Sequence, residues 1–334
     1  MQNRYFSTFI GGTYEIIKKA LVSYFPDVKI EFHSADLILF TTSHTYLEVG
    51  QIPFLNNSFN HIKQFNSSNM ASIEAQIDWA LNRTTFIVEL QKFFGNQKLK
   101  FRIVYSKNNQ TVKVDSRKAM LLENSIISNT RMKLHRTLPD FEIWFMEKRE
   151  GYGICGIRVS KHADYQQELE RGELRGELSY LMNFLSNPKS YDVYLDPFCG
   201  NGSLPINRAK YFPYKKIIAA DIDISRIAKK DTSTIKSFEI RQIDHLKTAL
   251  NLNVNKIVTD PPWGEAEKIE DLGEFYSAMF SKFSKLLNRK GIIVLLTSQK
   301  DLIEKLMTSK FTIIEKYNIF VGGKEAWIFK IIRL

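Results

Sequence analysis

From residue 191 onward, short apolar runs alternate with amphipathic stretches. YDVYLD (191–196), KIIAAD (216–221), SFEIRQID (237–244), NKIVTD (255–260) and GIIVLLTS (291–298) read as strands. Helical patterns fill most of the intervals, for instance EFYSAMFSKFSKLLN (274–288), where apolar residues recur at three and four. Such alternation predicts an α/β fold with a mostly parallel, doubly wound sheet. A helix over DLIEKLMTS and two closing runs, FTIIEKYNIF and EAWIFKIIRL, come next. Only Val321, Gly322, Gly323 and Lys324 join the closing runs, so a hairpin forming an antiparallel edge is expected.

The first half has a different rhythm. YFSTFIGG, TYEIIKKALVSYF, VKIEFHSA and LILFTTS suggest a small β-α-β-β unit, ferredoxin-like, over residues 1–60. The polar stretch NNSFNHIKQFNSSNMAS reads as a separator before the helix-like SIEAQIDWALN. TTFIVELQKFF and two further strands, KLKFRIVYS and QTVKVDSR, precede a helix near Leu121–Lys133. FEIWFME and GYGICGIRVS resume extended structure. Residues 61–160 form a second α+β region, residues 160–172 a linker, and 161–334 the alternating domain.

Composition narrows the function. A chain of 334 residues is long for one domain, and 44% apolar residues suffice for packed cores. No leader pattern opens the chain, and no apolar run approaches the roughly 18 residues of a membrane span. Cys155 and Cys199 make no disulfide framework and fit a reducing cytoplasm. His33, His44, His61, His135 and His162 show no metal-ligand spacing, so no metal is expected. The net charge of +11 divides into 19 basic minus 14 acidic residues (+5) over 1–150 and 28 minus 22 (+6) beyond. Basicity spread in this way suits a polyanionic partner, nucleic acid above all.

Four acids stand at the ends of the first four strands of the predicted sheet: Asp196, Asp221, Asp244 and Asp260. Ligands of open parallel sheets bind outside the carboxyl ends of the strands, so these acids should converge on one crevice. The first opens DPFCGNGS (196–203), where Gly200 and Gly202 permit a tight turn and Ser203 is placed to cap the next helix. A dinucleotide fingerprint would need glycine where Pro205 stands, and no phosphate-cradling G-x-x-x-x-G-K-[ST] run occurs. An acid before the turn favours a cationic or amine-bearing ligand. Asp221 in AADID suits the hydroxyls of a ribose, with Asp223 as fallback, and Asp244 an adenine amino group. A ribose, an adenine and an amine without pyrophosphate describe S-adenosylmethionine.

The fourth acid opens DPPWG (260–264), where adjacent prolines stop both strand and helix and stiffen the loop. A planar base carrying an exocyclic amine can lie against Trp263 while Asp260 and the Pro261 carbonyl accept from that amine. Two such acceptors stabilise the partly positive nitrogen that develops as it attacks a methyl sulfonium.

With DPFCGNGS, AADID and TDPPWG in this order, residues 172–334 resemble the class I S-adenosylmethionine-dependent methyltransferases of exocyclic amines. Among these, the likeness is to the THUMP-containing tRNA guanine-N2 methyltransferases, and GELRGELSYLMNFL (172–185) is similar to the helix before their first strand. The resemblance implies a Rossmann-like methyltransferase sheet with a THUMP-like RNA-binding region before it. It places Asp196, Pro197, Phe198, Gly200, Gly202, Asp221, Ile222, Asp244 and Asp260 at the cofactor and Asp260, Pro261, Pro262 and Trp263 at the target amine. The chain departs from the family pattern at Gly176, where proline is usual, and at Pro205 and Asn207.

Residues 98–118 hold seven basic residues against one acid, and RMKLHR (131–136) follows. Lys98, Lys100, Arg102, Lys107, Lys113, Arg117, Lys118, Arg131 and Lys133 are therefore candidates for RNA phosphates, with Tyr105 beside them. The expected activity is methylation of an RNA base, most of all guanine N2 in tRNA. The alternatives are an adenine-N6 or other amino methyltransferase acting on rRNA or DNA, and a non-catalytic RNA-binding subunit. Cys199 and His245 read as structural neighbours of the site.

Overall fold

The computed structural model describes residues 2–160, 173–248, 252–264, 269–307 and 309–334. The expected linker at 160–172 falls almost wholly outside them. The chain divides into two compact units, one built from β1, Asp27–Ile52 and the stretch from Asn57 onward, the other from Phe9–Pro26, Pro53–Asn56 and the second half.

The first unit is a nine-stranded sheet. Its strands are β1 (Asn3–Thr8), β2 (Lys29–His33), β3 (Leu37–Thr42), β4 (Asn57–Phe65), β5 (Lys100–Lys107), β6 (Gln110–Thr111), β7 (Lys133–Leu134), β8 (Phe141–Glu147) and β9 (Gly153–Arg158). They run in the order β2-β3-β1-β4-β9-β8-β5-β6, with β7 paired to β5. Helices α2 (Tyr46–Val49), α3 (Ser68–Ala71), α4 (Ile73–Asn82), α5 (Thr84–Phe94) and α6 (Ser116–Asn129) belong to the same unit.

Three sequence expectations need correcting here. The polar separator contains β4, a central strand paired with β1 and β9. Its small polar residues are matched internally: the Ser7 hydroxyl donates to that of Ser58 at 2.9 Å, while Phe59 stacks on Phe6 at 4.6 Å. A division at residue 60 would cut this strand. TTFIVELQKFF, placed among strands, is helix α5, and its buried residues Phe86, Leu90 and Phe94 recur at four. QTVKVDSR pairs only over Gln110–Thr111, because Asp115 accepts from the Lys118 amide at 2.9 Å and starts α6 five residues early.

The second unit carries helices α1 (Tyr14–Tyr24), α7 (Gly176–Leu185), α8 (Ser203–Tyr211), α9 (Leu272–Leu286) and α10 (Lys300–Lys305). Its strands are β10 (Val193–Asp196), β11 (Lys216–Asp221), β12 (Phe238–Gln242), β13 (Val254–Thr259), β14 (Leu287–Thr297), β15 (Phe311–Val321) and β16 (Lys324–Arg333). The order is β12-β11-β10-β13-β14-β16-β15. β10 to β14 are parallel, and β16 lies antiparallel between β14 and β15, as the predicted edge hairpin requires. Gly322 and Gly323 turn that hairpin with φ of 57° and 81°.

Tyr276, Met279, Phe280 and Phe283 of α9 share a buried core with Ile257, Ile293 and Leu295. The helix is capped by Asp271, which accepts from Glu274 N at 2.9 Å. Beside α7 and α8, Arg208 and Asp192 form an ion pair at 2.8 Å with neither side chain exposed. α1 reaches this unit through Lys19, which bonds Glu315 at 2.6 Å and Tyr317 at 2.9 Å beside the edge strand β15. No helix among the described residues is long and apolar enough to cross a membrane.

Candidate active site

Parallel pairing sets the carboxyl ends of β12, β11, β10 and β13 side by side, about 4.8 Å from strand to strand. Asp196 and Asp221 end their strands, Asp260 follows β13 directly, and Asp244 lies two residues past β12. The Ile243 amide donates to the Asp221 carbonyl at 2.8 Å, tying the Asp244 turn to β11. All four acids thus occupy one edge of the sheet, where the strand order reverses between β10 and β13.

Asp196 is 1% exposed. Its Oδ1 accepts from Thr259 Oγ1 at 2.8 Å and Phe198 N at 3.3 Å, while Oδ2 is buried without a partner. Burial pushes this carboxyl well above the usual carboxylate range, the two hydrogen bonds pull the other way, and the charges of Asp221 and Asp260 push it up again. An unpartnered buried carboxylate oxygen of this kind is a strong acceptor waiting for a donor.

The glycine loop is laced to β11. Cys199 N donates to the Ala220 carbonyl at 3.0 Å and Gly200 N to Asp221 Oδ2 at 2.8 Å. The two glycines serve different ends. A Cβ on Gly200 would meet nothing within 4 Å, whereas one on Gly202 would lie 2.7 Å from the Ile227 side chain. Gly200 therefore leaves the backbone open to a ligand, and Gly202, at φ 85°, lets the loop pack on Ile227. Ser203 does not cap α8: Gly202 holds that position, and the Ser203 hydroxyl turns back to Asn201 Oδ1 at 2.8 Å. Two departures from the family pattern meet, since Asn207 Nδ2 donates to the Gly176 carbonyl at 3.2 Å. Pro205 falls in the first turn of α8, where a missing amide is tolerated.

Phe198 is partly buried between Phe275 and His245, with ring centroids 5.7 Å and 6.2 Å away, and Pro197 is buried behind it. Ile222 is 66% exposed beside Asp221. Asp221 Oδ1 accepts from Asp223 N at 3.1 Å, while Asp223, the fallback, is turned outward to Ser225 N at 2.9 Å. Asp244 Oδ1 accepts from Leu246 N at 3.1 Å, so this acid also braces its own turn. Cys199 is buried, and burial pushes its thiol up, which suits a structural side chain.

In the DPPW loop, the Trp263 indole donates to Asp260 Oδ1 at 2.8 Å. Tyr276 Oη donates to the Pro262 carbonyl at 3.2 Å and shares a 2.7 Å hydrogen bond with Thr297 Oγ1. Gln299 Nε2 donates to the Trp263 carbonyl at 3.0 Å. Among the described residues, Asp260 Oδ2 and the Pro261 carbonyl accept from no other group. Burial pushes the Asp260 carboxyl up to about 7, opposed by the indole bond. The sequence reading missed Thr259, Tyr276, Thr297 and Gln299. Thr297 and Gln299 stand at the carboxyl end of β14, so the strand-end rule that picked out the four acids reaches them when extended by one strand.

Comparison with known proteins identifies the domain that carries this edge of the sheet. A family model described as RMKL-like, methyltransferase domain, matches residues 163–327. The probable tRNA (guanine(10)-N2)-dimethyltransferase of Methanothermococcus thermolithotrophicus is 30% identical over 128 residues, covering 35% of this chain and 76% of that protein. The chain belongs to this methyltransferase family. The bovine (Bos taurus) U6 snRNA (guanine-N(2))-methyltransferase THUMPD2 is 27% identical over 168 residues, and the match covers 48% of this chain and 33% of that protein. This chain therefore spans about a third of that relative's length. The crystal structure of TrmN from Thermus thermophilus shares the fold over 100% of both chains, with a TM-score of 0.77 and 16% identity.

The four acids, the glycine loop and DPPW all lie within the matched methyltransferase domain. The basic candidates lie in the other unit, and they divide into two groups. Arg102 pairs with Glu142, Lys107 with Glu147 at 2.7 Å and Lys118 with Asp78 at 2.7 Å. Lys98, Lys100, Lys113, Arg117, Arg131 and Lys133 are exposed. Lys100 and Lys133 sit opposite each other in the β5–β7 register, a like-charge pair that an anion would relieve. Tyr105 is not beside them on the surface; it is buried in the core against Phe145.

Proposed function

We propose that this methyltransferase transfers the methyl group of S-adenosylmethionine to an exocyclic amine of an RNA base, guanine N2 of tRNA in the first place. The observation that carries the proposal is the pair of open acceptors, Asp260 Oδ2 and the Pro261 carbonyl, in a loop held by three hydrogen bonds. Asp260 Oδ2 and the Pro261 carbonyl match the two protons of an aromatic amine. The relatives' printed names, which specify guanine N2 in tRNA and in U6 snRNA, support the same chemistry.

The site residues fit the cofactor. The unpartnered Oδ2 of Asp196 suits its ammonium group, the open face of Gly200 leaves room for its chain, and Asp221 with exposed Ile222 suits its ribose and the adenine edge. When bound, S-adenosylmethionine supplies an electrophilic methyl on a sulfonium. The protein's part is to hold the amine. Asp260 and Pro261 orient the nitrogen lone pair and take up the positive charge that grows on it, and ionised Asp260 is placed to receive the proton released. Trp263, its indole fixed by Asp260 and its carbonyl by Gln299, offers an ordered flat surface for the base.

The exposed lysines and arginines of the first unit supply phosphate contacts, and that unit acts as a THUMP-like RNA-binding region. The test is to incubate the protein with S-adenosylmethionine labelled in the methyl group and, separately, unmodified tRNA, rRNA and duplex DNA. Label is expected in tRNA and absent with Asp260→Asn. Label confined to DNA would overturn the RNA reading, and failure to bind S-adenosylmethionine would overturn the enzyme reading.

A further inference from the structure

The methyltransferase unit has a second recess, at the amino ends of its strands. Asn187, Pro188 and Lys189 lie just before β10 and Phe212 shortly before β11, so this recess faces away from the four acids. A β11 of six residues separates the two edges by about 20 Å. The cavity measures about 520 Å³, within the range of small-ligand sites. Its walls are aromatic: Tyr24 from the end of α1, Tyr180 and Phe184 from α7, Tyr211 and Phe212 from the end of α8. The rings brace one another, with Tyr180 4.7 Å from Phe212 and 5.4 Å from Tyr211. Tyr24 and Tyr211 are nonetheless 40% and 39% exposed.

Charge identifies the occupant. Lys189 lines the cavity, and Lys210 Nζ lies 5.0 Å over the Tyr211 ring. Lys189 is also close enough to the buried Lys256 for the two charges to repel. An aromatic recess with Lys189 in its lining and Lys210 beside Tyr211, in a chain of net charge +11, suits a base followed by phosphate.

We propose that this recess binds an unstacked nucleobase of the RNA substrate, distinct from the base that is methylated, with Lys189 and Lys210 on the flanking phosphates. The proposal rests on the RNA reading above. It gives the methyltransferase unit its own grip on RNA, so that affinity does not depend on the first unit alone.

The test uses the full chain, end-labelled unmodified tRNA and fluorescence anisotropy over a range of salt. Losing one stacking ring typically weakens single-strand binding by roughly 5- to 150-fold. Tyr211→Ser is expected to weaken binding within that range with the salt slope unchanged. Tyr211→Phe should retain wild-type affinity. Lys189→Ala should lower the slope of log affinity against log salt by about one. Circular dichroism and S-adenosylhomocysteine binding confirm that each variant is folded. Wild-type affinity and slope in both Tyr211→Ser and Lys189→Ala would overturn the proposal while leaving the RNA reading intact. Failure of the wild type to bind any RNA would overturn both.

Discussion

Replacing Asp260 by asparagine should abolish methyl transfer and at the same time stabilise the protein. The side chain keeps its shape, and Asn Oδ1 still accepts the Trp263 indole. What changes is the charge. Burial raises the Asp260 pKa from 3.8 to about 7, so the folded state resists its ionisation. The sign follows from linkage: below 3.8 the carboxyl is neutral in both states and contributes no penalty. As pH rises past 3.8 the unfolded chain releases the proton first, and the folded state loses stability until about pH 7, above which the loss is constant. At 1.36 kcal/mol per pKa unit, the loss is about 4 kcal/mol at pH 8 and about 2 kcal/mol at pH 5. Asp260→Asn removes it, so the variant should gain about 4 kcal/mol at pH 8 and roughly 2 to 3 kcal/mol less than that at pH 5. Urea unfolding of both proteins at the two pH values, without cofactor, measures the difference. A variant no more stable than wild type, or a gain independent of pH, would refute the idea that the loop desolvates the Asp260 carboxyl.

Four further outcomes follow from the same geometry. Activity should rise with pH as one group ionises near 7 and fall about fivefold from pH 7 to pH 6, because protonated Asp260 loses an acceptor; a pH–rate profile shows it. Tyr276→Phe and Gln299→Ala each remove one hydrogen bond holding the DPPW loop, so kcat should drop about tenfold while S-adenosylhomocysteine affinity stays within about twofold. Gly202→Ala forces a Cβ against Ile227 and should lower stability by about 2 kcal/mol or more, whereas Gly200→Ala, which meets no atom but must hold φ near 51°, should cost only about 1 kcal/mol and weaken cofactor binding; thermal melts and titration separate the two. Charge reversal at Lys100 and Lys133 together should weaken tRNA binding at least tenfold and reduce its salt slope by about two.

The parts of the molecule legible in the sequence are those where one periodicity dominates. β11 runs over Lys216–Asp221 as read, and the hairpin at Gly322–Gly323 forms because two glycines permit its turn. β12 is one residue shorter at its start and two shorter at its carboxyl end than the run SFEIRQID, where Asp244 braces the following turn. β4 was hidden by its own composition: serine, asparagine, histidine and lysine in a central strand look like a loop until their partners on β1 and β9 are known. α5 opens on two threonines and carries isoleucine and valine, which read locally as strand, and only packing of Phe86, Leu90 and Phe94 decides for helix. At the site, the acids were legible because a parallel sheet gathers strand ends. The harness of Tyr276, Thr297 and Gln299 was not, because it consists of hydrogen bonds between segments that no motif links.

The most direct measurement is the identity of the methylated nucleoside. Unmodified tRNA treated with the protein and S-adenosylmethionine, then digested completely and resolved by mass spectrometry, should yield N2-methylguanosine with wild type and none with Asp260→Asn. N6-methyladenosine in its place, or undiminished N2-methylguanosine from the variant, would contradict the role assigned to the acceptor pair of Asp260 and Pro261.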